Sequence, residues 1–238
     1  FIKTCDTPMT ISIQGDWGSG KTSMMNMIKE EIKDNVYYIW FNTWQYSQFN
    51  MGDSLSITFL NNLIEQLGIK DKEEERKKLI KTVIKFGAKV GLSMINADGS
   101  AVDDFSDAAM DMAKTIEKLK KTFEEYVELK LEETKKDRLV IFVDDLDRLN
   151  PGKAVELLEV LKLFLDSKNC VFILAVDYGV VTQGLKEKYG DLISEEKGKS
   201  FFDKIIQLPF KMPVAQYDIK LYLKKMLESM NIDMKEED

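Results

Sequence analysis

The sequence predicts a three-layer α/β domain with a mainly parallel sheet of about five strands. Segments with strand patterns alternate with segments of helical periodicity, which is the order of a parallel sheet joined by crossover helices. The segments Val36–Phe41 and Val171–Val176 are almost continuously apolar, which is typical of strands buried on both faces of such a sheet. A glycine-rich turn separates the first strand from the first helix. A chain of 238 residues can bury this core without disulfides or structural metals.

The first 70 residues supply two strands and two helices. Thr10–Gln14 alternates as a strand and runs into the glycine-rich turn, after which an apolar stripe predicts a helix over 23–33. The second strand, Val36–Phe41, precedes a helix that starts at Asp53 and ends before Gly68.

Residues 71–136 read as a helical insertion, which divides the α/β domain into a first part, 1–70, and a second part, 137–238. A run of mixed charges opens the segment, and an amphipathic helix marked by Leu119, Phe123 and Val127 ends it. The stretch 83–113 is rich in glycine and alanine, but lysines interrupt it before it reaches the roughly 18 apolar residues that a membrane span needs. We therefore expect a helix pair without a transmembrane span or peripheral membrane contact.

The second part continues the alternation. The strand Leu139–Val143 ends in Asp144, and a helix with Pro151 near its start follows. The strand Val171–Val176, a short segment over 204–210 and a last amphipathic helix over 219–230 complete the domain.

Composition excludes several classes of function. The chain has no histidine, which excludes His-based triads and imidazole metal sites, and only three arginines. Its net charge of −7 argues against a basic nucleic-acid clamp, and no direct nucleic-acid signal is present. Cys5 and Cys170 stand alone, which favours reduced thiols and a cytoplasmic location. Because the chain begins at Phe1, we expect it to be part of a longer protein.

The glycine-rich turn matches the phosphate-binding pattern G-x-x-x-x-G-K-[ST]. The matching residues are Gly15, Asp16, Trp17, Gly18, Ser19, Gly20, Lys21 and Thr22, with Ser23 next in the helix. Glycines let successive backbone N–H groups point inward at a phosphate, and the helix directs its positive end at the same anion. Lys21 reaches the β- and γ-phosphates, and Thr22 can ligate Mg²⁺. Trp17 either shields the phosphates or packs beneath the loop.

The metal that accompanies a phosphate loop needs a carboxylate on a neighbouring strand. Asp144 follows five apolar residues at the carboxyl end of its strand, where ligands of open α/β sheets bind. We assign Asp144 to Mg²⁺, through water or through Thr22. Asp145 is the candidate for polarising the attacking water, and the alternative is a second metal-shell or helix-capping carboxylate.

Asp147 and Arg148 follow directly and have two interpretations. They form a local ion pair that fixes the loop, or Arg148 is a transition-state cation acting in cis or from a neighbouring protomer.

With these motifs placed, the chain resembles a KAP-family P-loop NTPase. The family's phosphate loop carries a tryptophan before its second glycine, as at Trp17 and Gly18. Its next strand ends in Asn-x-Trp, here Asn42 to Trp44, and its acidic motif is similar to the segment 143–148. The strand ending at Asp177 and the closing segment 202–210 are also similar. The resemblance covers residues 8 to about 213, without 71–136.

The resemblance implies ATP binding with Mg²⁺, slow hydrolysis and a regulatory role in a protein with flanking effector or sensor domains. It also implies that a polar residue at the position of Asp177 senses the γ-phosphate. Asn42, at the carboxyl end of its strand, is a second sensor candidate, and its amide either senses the nucleotide or orients water. ATP rather than GTP follows from the family alone. Bacterial relatives are often associated with defence against phage or plasmids, joined to other domains. Many members insert transmembrane helices at the place of segment 83–113.

Three functions remain open on the residues alone. The first is a nucleotide-driven switch, in which ATP with Mg²⁺ holds loop elements and a neighbouring protomer in a nucleotide-dependent homo-oligomer. The second is a small-molecule kinase of the P-loop fold, which three arginines make less favoured because such kinases carry arginine-rich lids. The third is a nucleotide-binding module without turnover, against which the presence of both Asp144 and Asp145 argues.

Overall fold

Five parallel strands and the helices between them form the α/β core. The computed structural model describes residues 1–47, 55–68, 74, 104–190, 200–213 and 226–227. The strands are β1 (Met9–Gln14), β2 (Tyr37–Asn42), β3 (Leu139–Asp144), β4 (Cys170–Val176) and β5 (Leu208–Lys211). The helices are α1 (Lys21–Ile32), α2 (Thr43–Ser47), α3 (Leu55–Leu67), α4 (Asp104–Thr134), α5 (Pro151–Leu161) and α6 (Tyr178–Tyr189).

The sheet has the strand order β2-β3-β4-β1-β5, and every pairing among the described strands is parallel. This confirms the predicted fold class. β3 and β4 are buried along their whole length because they lie in the middle of the sheet with helices on both faces. The expectation that β2 is equally buried is wrong: β2 is an edge strand, and its Tyr38 side chain is 37% exposed.

Alternate residues of the central strands face two separate hydrophobic clusters, as the two-residue period of a strand requires. Ile141 and Phe172 face a large cluster with α3, α4, α5 and α6, whereas Phe142 and Ile173 face a smaller one with α1. Helices on both faces of the sheet give the three predicted layers. Trp40 packs on the smaller cluster, with its ring stacked 5.0 Å from that of Phe142, as expected for a core aromatic.

Helix α4 covers the last part of the segment that the sequence assigns to an insertion. Its buried residues join the large cluster, and they are Leu119, Phe123, Tyr126, Val127 and Leu131. This part of the segment therefore contributes directly to the core. The division into 1–70, 71–136 and 137–238 stays a prediction. The stretch 83–103 and most of the predicted last helix lie outside the described residues.

Helix α6 is an element that the sequence analysis did not predict. Asp177 caps it, since its Oδ1 accepts a hydrogen bond from the Gly179 N–H at 2.7 Å. Val181 and Leu185 bury its apolar side, and Gly190 follows its end. A capping aspartate, a short apolar stripe and a closing glycine could have indicated this helix.

Within the described residues, no helix combines the length and the apolar character needed to cross a lipid bilayer. Both cysteines are free thiols. Burial raises the pKa of the Cys170 thiol far above its ordinary value, so this thiol stays protonated and unreactive.

Candidate functional site

The loop between β1 and α1 has the backbone that a phosphate cradle requires. Gly18 and Gly20 have φ angles of 79° and 91°, in the left-handed region that other residues seldom adopt. A Cβ atom at Gly15 would lie 2.6 Å from the Ser19 Oγ and 3.2 Å from the Met212 Cβ, so a larger residue there would force these side chains to shift. The backbone conformation of the loop therefore favours glycine at 18 and 20, and its close packing favours glycine at 15.

The Lys21 ammonium lies at the centre of the site and is almost fully buried. Its Nζ donates to the Gly15 carbonyl at 2.6 Å and to the Asp16 carbonyl at 3.0 Å. It also forms an ion pair with the Asp147 Oδ2 at 2.8 Å, and the exposed fractions of the two side chains are 7% and 6%. Three oxygens therefore satisfy the three N–H groups of the ammonium.

The Asp144 carboxylate faces the start of α1. Its Oδ1 accepts hydrogen bonds from the Thr22 Oγ1 at 3.1 Å and from the Asp145 N–H at 2.8 Å. Its Oδ2 is buried and has no hydrogen-bond partner among the described residues. Burial, and next the negative charge of Asp145, raise the pKa of the Asp144 carboxyl above its ordinary value, against the lowering effect of the two hydrogen bonds.

The structure brings Thr22 and Asp144 together, but through a strand order that the sequence did not indicate. We expected Asp144 on the strand next to β1, but β4 lies between β1 and β3. The expectation is wrong because strand order is independent of the apolar pattern along each strand. Helix α1 contacts β4 and thereby brings Thr22 within hydrogen-bonding distance of Asp144.

Asp145 has both carboxylate oxygens engaged in this structure. Its Oδ1 forms an ion pair with the Arg148 Nε at 2.7 Å, and its Oδ2 accepts from the Asn42 Nδ2 at 2.8 Å. Asn42 reaches it because the register of β2 and β3 places Asn42 opposite Asp144. The proposed local pair between Asp147 and Arg148 is not the arrangement found, since Asp147 binds Lys21 and Arg148 binds Asp145.

Two tryptophans lie at the rim of the site. Trp17 is 78% exposed, which excludes the interpretation that it packs beneath the loop. Trp44 is partly exposed, and the Arg148 guanidinium lies over its ring at 5.1 Å from the centroid. Asn42 connects the same region, because its Oδ1 accepts from the Gln45 N–H at 3.0 Å and so fixes the start of α2.

Sequence reasoning missed one buried hydroxyl of the site. The Thr43 Oγ1 donates to the Asp144 carbonyl at 3.0 Å and thereby ties the end of β2 to the end of β3. The only signal for this contact was the position of Thr43 directly after the strand. Asp177, one of the two sensor candidates, lies at the end of β4 as the cap of α6.

The donor set fits a magnesium ion held together with a triphosphate. Mg²⁺ is usually bound through one or two carboxylates with substrate phosphates and several waters. Thr22 supplies a hydroxyl, and Asp144 supplies a buried carboxylate oxygen that no other described residue satisfies. The glycine loop and Lys21, which bind the phosphates in this pattern, directly precede Thr22 in the chain.

Comparison with known proteins agrees with this geometry. The sequence model of the KAP family P-loop domain matches residues 1–238 of the chain. The chain belongs to the KAP family of P-loop domains.

A relative of this KAP domain carries a biological description. The phage T7 exclusion protein of Escherichia coli strain K12 is 24% identical over 249 residues. The match covers 92% of the KAP domain described here and 32% of the relative, so the chain spans about a third of that protein's length.

Proposed function

We propose that this KAP domain binds ATP with Mg²⁺ and hydrolyses it slowly, and that it acts as a nucleotide-driven switch within a larger protein. The observation that carries the proposal is the buried Asp144 Oδ2, which lacks a described partner and lies on the same carboxylate that accepts from Thr22. A buried carboxylate oxygen without a partner is costly unless a ligand or ion completes it. The family match supports the same class of ligand.

Each site residue has a proposed role. The amides of residues 15–23 hold the phosphates with Lys21, and Thr22 and Asp144 hold the metal. When bound, Mg²⁺ neutralises charge on the phosphate oxygens. Asp145 orients or polarises water, and Arg148 stabilises charge that develops in the reaction. Asn42 and Asp177 sense the γ-phosphate.

Two contacts support the assignment of Asn42 and Arg148. Both side chains bind Asp145, so all three form one network at the carboxyl ends of β2 and β3. Arg148 is also partly exposed, which leaves it accessible to a nucleotide or to a second protomer. Arg148 then acts within the same chain or across the interface of a nucleotide-dependent homo-oligomer.

The biological context of the switch is also a proposal. The relative is named for the exclusion of a phage, which supports a role in bacterial defence. Two free cysteines support a reducing compartment, the cytoplasm. The relative is about three times as long as the match, which supports flanking effector or sensor domains.

Phosphate release from ATP tests the proposed reaction. We expect release that requires Mg²⁺ and needs no acceptor molecule, at a rate well below that of a metabolic enzyme. Strict dependence on an added small acceptor would favour a kinase, and binding without release would favour a module without turnover.

The substitution Lys21→Ala tests the placement of the nucleotide. It removes the main positive charge that faces the phosphates, so ATP should no longer raise the melting temperature. Lys33→Ala, at an exposed position at the end of the same helix, is the matched control and should retain the shift. A shift of wild-type size in Lys21→Ala would contradict the proposed site.

A further inference from the structure

The buried ion pair between Lys21 and Asp147 is the contact of the site that the proposed reaction does not explain. It joins the phosphate loop to the 3₁₀ turn Leu146–Arg148 after β3, and neither side chain is more than 7% exposed. Asp147 thus presents a carboxylate oxygen to the same ammonium that the phosphate-loop pattern directs at a triphosphate.

Lys21 has no N–H group left for a phosphate while this contact persists. Its three donors bind the Gly15 and Asp16 carbonyls and the Asp147 carboxylate. Phosphate and Asp147 therefore compete for Lys21.

The segment that carries Asp147 is short and is held by buried residues on both sides. Leu146 and Leu149 are buried in the large hydrophobic cluster and hold the turn on both sides. The two residues between them are Asp147 and Arg148, and Arg148 carries the ion pair with Asp145. Displacement of the Asp147 carboxylate therefore acts on the turn that positions Arg148.

We propose that Asp147 is an internal competitor of phosphate, which occupies Lys21 in the nucleotide-free domain and is displaced when a nucleoside triphosphate binds. This inference rests on the proposed nucleotide site and adds its regulation. When phosphate at the loop displaces Asp147 from Lys21, the neighbouring residue Arg148 changes position with it. A stronger Lys21–Asp147 pair lowers the fraction of domain with a free Lys21 and so weakens the apparent affinity for phosphate.

The test measures binding of tripolyphosphate and of ATP in EDTA, so that neither a base nor a metal decides the outcome. Asp147→Asn and Asp147→Ser remove the competing charge by two different side chains. Both should bind tripolyphosphate roughly three- to tenfold more tightly than wild type, because the fraction of domain with a free Lys21 rises. Both should also melt at a lower temperature without ligand, since Lys21 is left buried without its counter-ion.

Three controls separate the pair from a general charge effect. Asp147→Glu keeps a carboxylate in the turn and should bind close to the wild-type level. Asp166→Asn removes an exposed charge of the same sign and should not change the affinity. In a Lys21→Ala background, adding Asp147→Asn should give no gain in affinity for tripolyphosphate.

The proposal is overturned when both removal variants bind no more tightly than wild type. It is also overturned when Asp166→Asn gives the same gain, or when the gain persists without Lys21. Failure of the nucleotide site itself looks different, because wild type would then bind neither tripolyphosphate nor ATP.

Discussion

Asp145 shows how a single backbone angle organises the site. Its φ is 61°, in the left-handed region, which aspartate tolerates better than most residues. The conformation turns the chain directly after β3, so that Asp144 faces Thr22 while Asp145 binds Asn42 and Arg148. The carboxylates of Asp144 and Asp145 can therefore take different roles although the two residues are adjacent in sequence.

The substitution Asp145→Asn tests the proposed role in hydrolysis. ATP binding should persist, whereas turnover should fall by about 10²-fold or more, as expected for the loss of a group that acts on water. Comparison with Arg148→Ala shows how much of the loss of turnover in Asp145→Asn depends on the contact between Asp145 and Arg148. A double variant that loses no more than either single variant would mean that Asp145 and Arg148 act as a unit, and undiminished turnover in Asp145→Asn would make Asp145 a structural carboxylate. A specific activity of Arg148→Ala that depends on protein concentration would indicate action across an interface.

The substitution Asp144→Asn should stabilise the domain in the absence of metal and nucleotide. The folded-state pKa of Asp144 is raised above its ordinary value of 3.8, so the charged form costs stability at neutral pH. The contribution of Asp144 is fully present below the unfolded pKa and is lost as the pH rises through the folded pKa. Asparagine avoids this loss, and we expect a melting temperature a few degrees higher at pH 7 in EDTA.

Two further measurements check that the charge of Asp144 destabilises the ligand-free domain. The advantage of Asp144→Asn over wild type should shrink as the pH falls, because the wild-type carboxyl then also becomes neutral. The variant should lose the stabilisation that ATP gives with Mg²⁺. A lower melting temperature than wild type at pH 7 would contradict the assignment of a costly buried charge, and Asp166→Asn is the exposed control.

At the scale of elements, the segment from β3 to α5 carries most of the site. β3 is buried at all six positions and ends at Asp144, the 3₁₀ turn holds Asp147 and Arg148, and Asn150 caps α5 by accepting from the Gly152 N–H at 3.1 Å. A rigid strand and a capped helix thus enclose a turn of three residues. The residues that bind Lys21 and Asp145 therefore lie between two regular elements.

Helices α5 and α6 pack so closely that the addition of one methyl group at Gly184 tests their contact. A Cβ atom at Gly184 would lie 2.1 Å from the Pro151 carbonyl oxygen, a backbone atom that cannot rotate away. Gly184→Ala should therefore destabilise the domain by about 1–3 kcal/mol, although alanine favours an isolated helix. Gly152→Ala is the matched control, since its nearest contact would be 3.4 Å away. Equal midpoints of chemical unfolding for the two variants would contradict the packing.

At the scale of the whole molecule, the large cluster joins segments that are distant in sequence. Helix α4 adds Phe123, whose ring lies edge-on to that of Phe164 at 5.2 Å between centroids. The same cluster contains Leu146 and Leu149, which flank the turn of the site. The core thereby links the segment before β3 to the residues that hold the turn.

The substitution Phe123→Ala measures how much α4 contributes to the domain. Phe123 is 2% exposed, and the loss of a buried phenylalanine side chain costs about 3–5 kcal/mol. Chemical unfolding should show this loss, whereas Met27→Ala, at a position that is 69% exposed, should change little. A small effect at Phe123 would indicate that α4 is dispensable for the core.

The sequence by itself predicted the parts of this KAP domain that depend on neighbouring residues. The phosphate loop was recognisable because its glycines, Lys21 and Thr22 act within one turn and the helix that follows. Strand β4 was recognisable because burial on both faces requires continuous apolar residues, whereas the same pattern in β2 led to the wrong expectation for an edge strand. Helix α6 was not predicted because its apolar stripe is short.

The tertiary structure alone decided which distant side chains meet. Strand order placed β4 between β1 and β3, and the register of β2 on β3 brought Asn42 to Asp145. The same assembly paired Lys21 with Asp147 rather than Asp147 with its neighbour Arg148. The physical reason is that apolar periodicity specifies which face of a strand is buried, whereas strand order and register depend on how all the layers pack together.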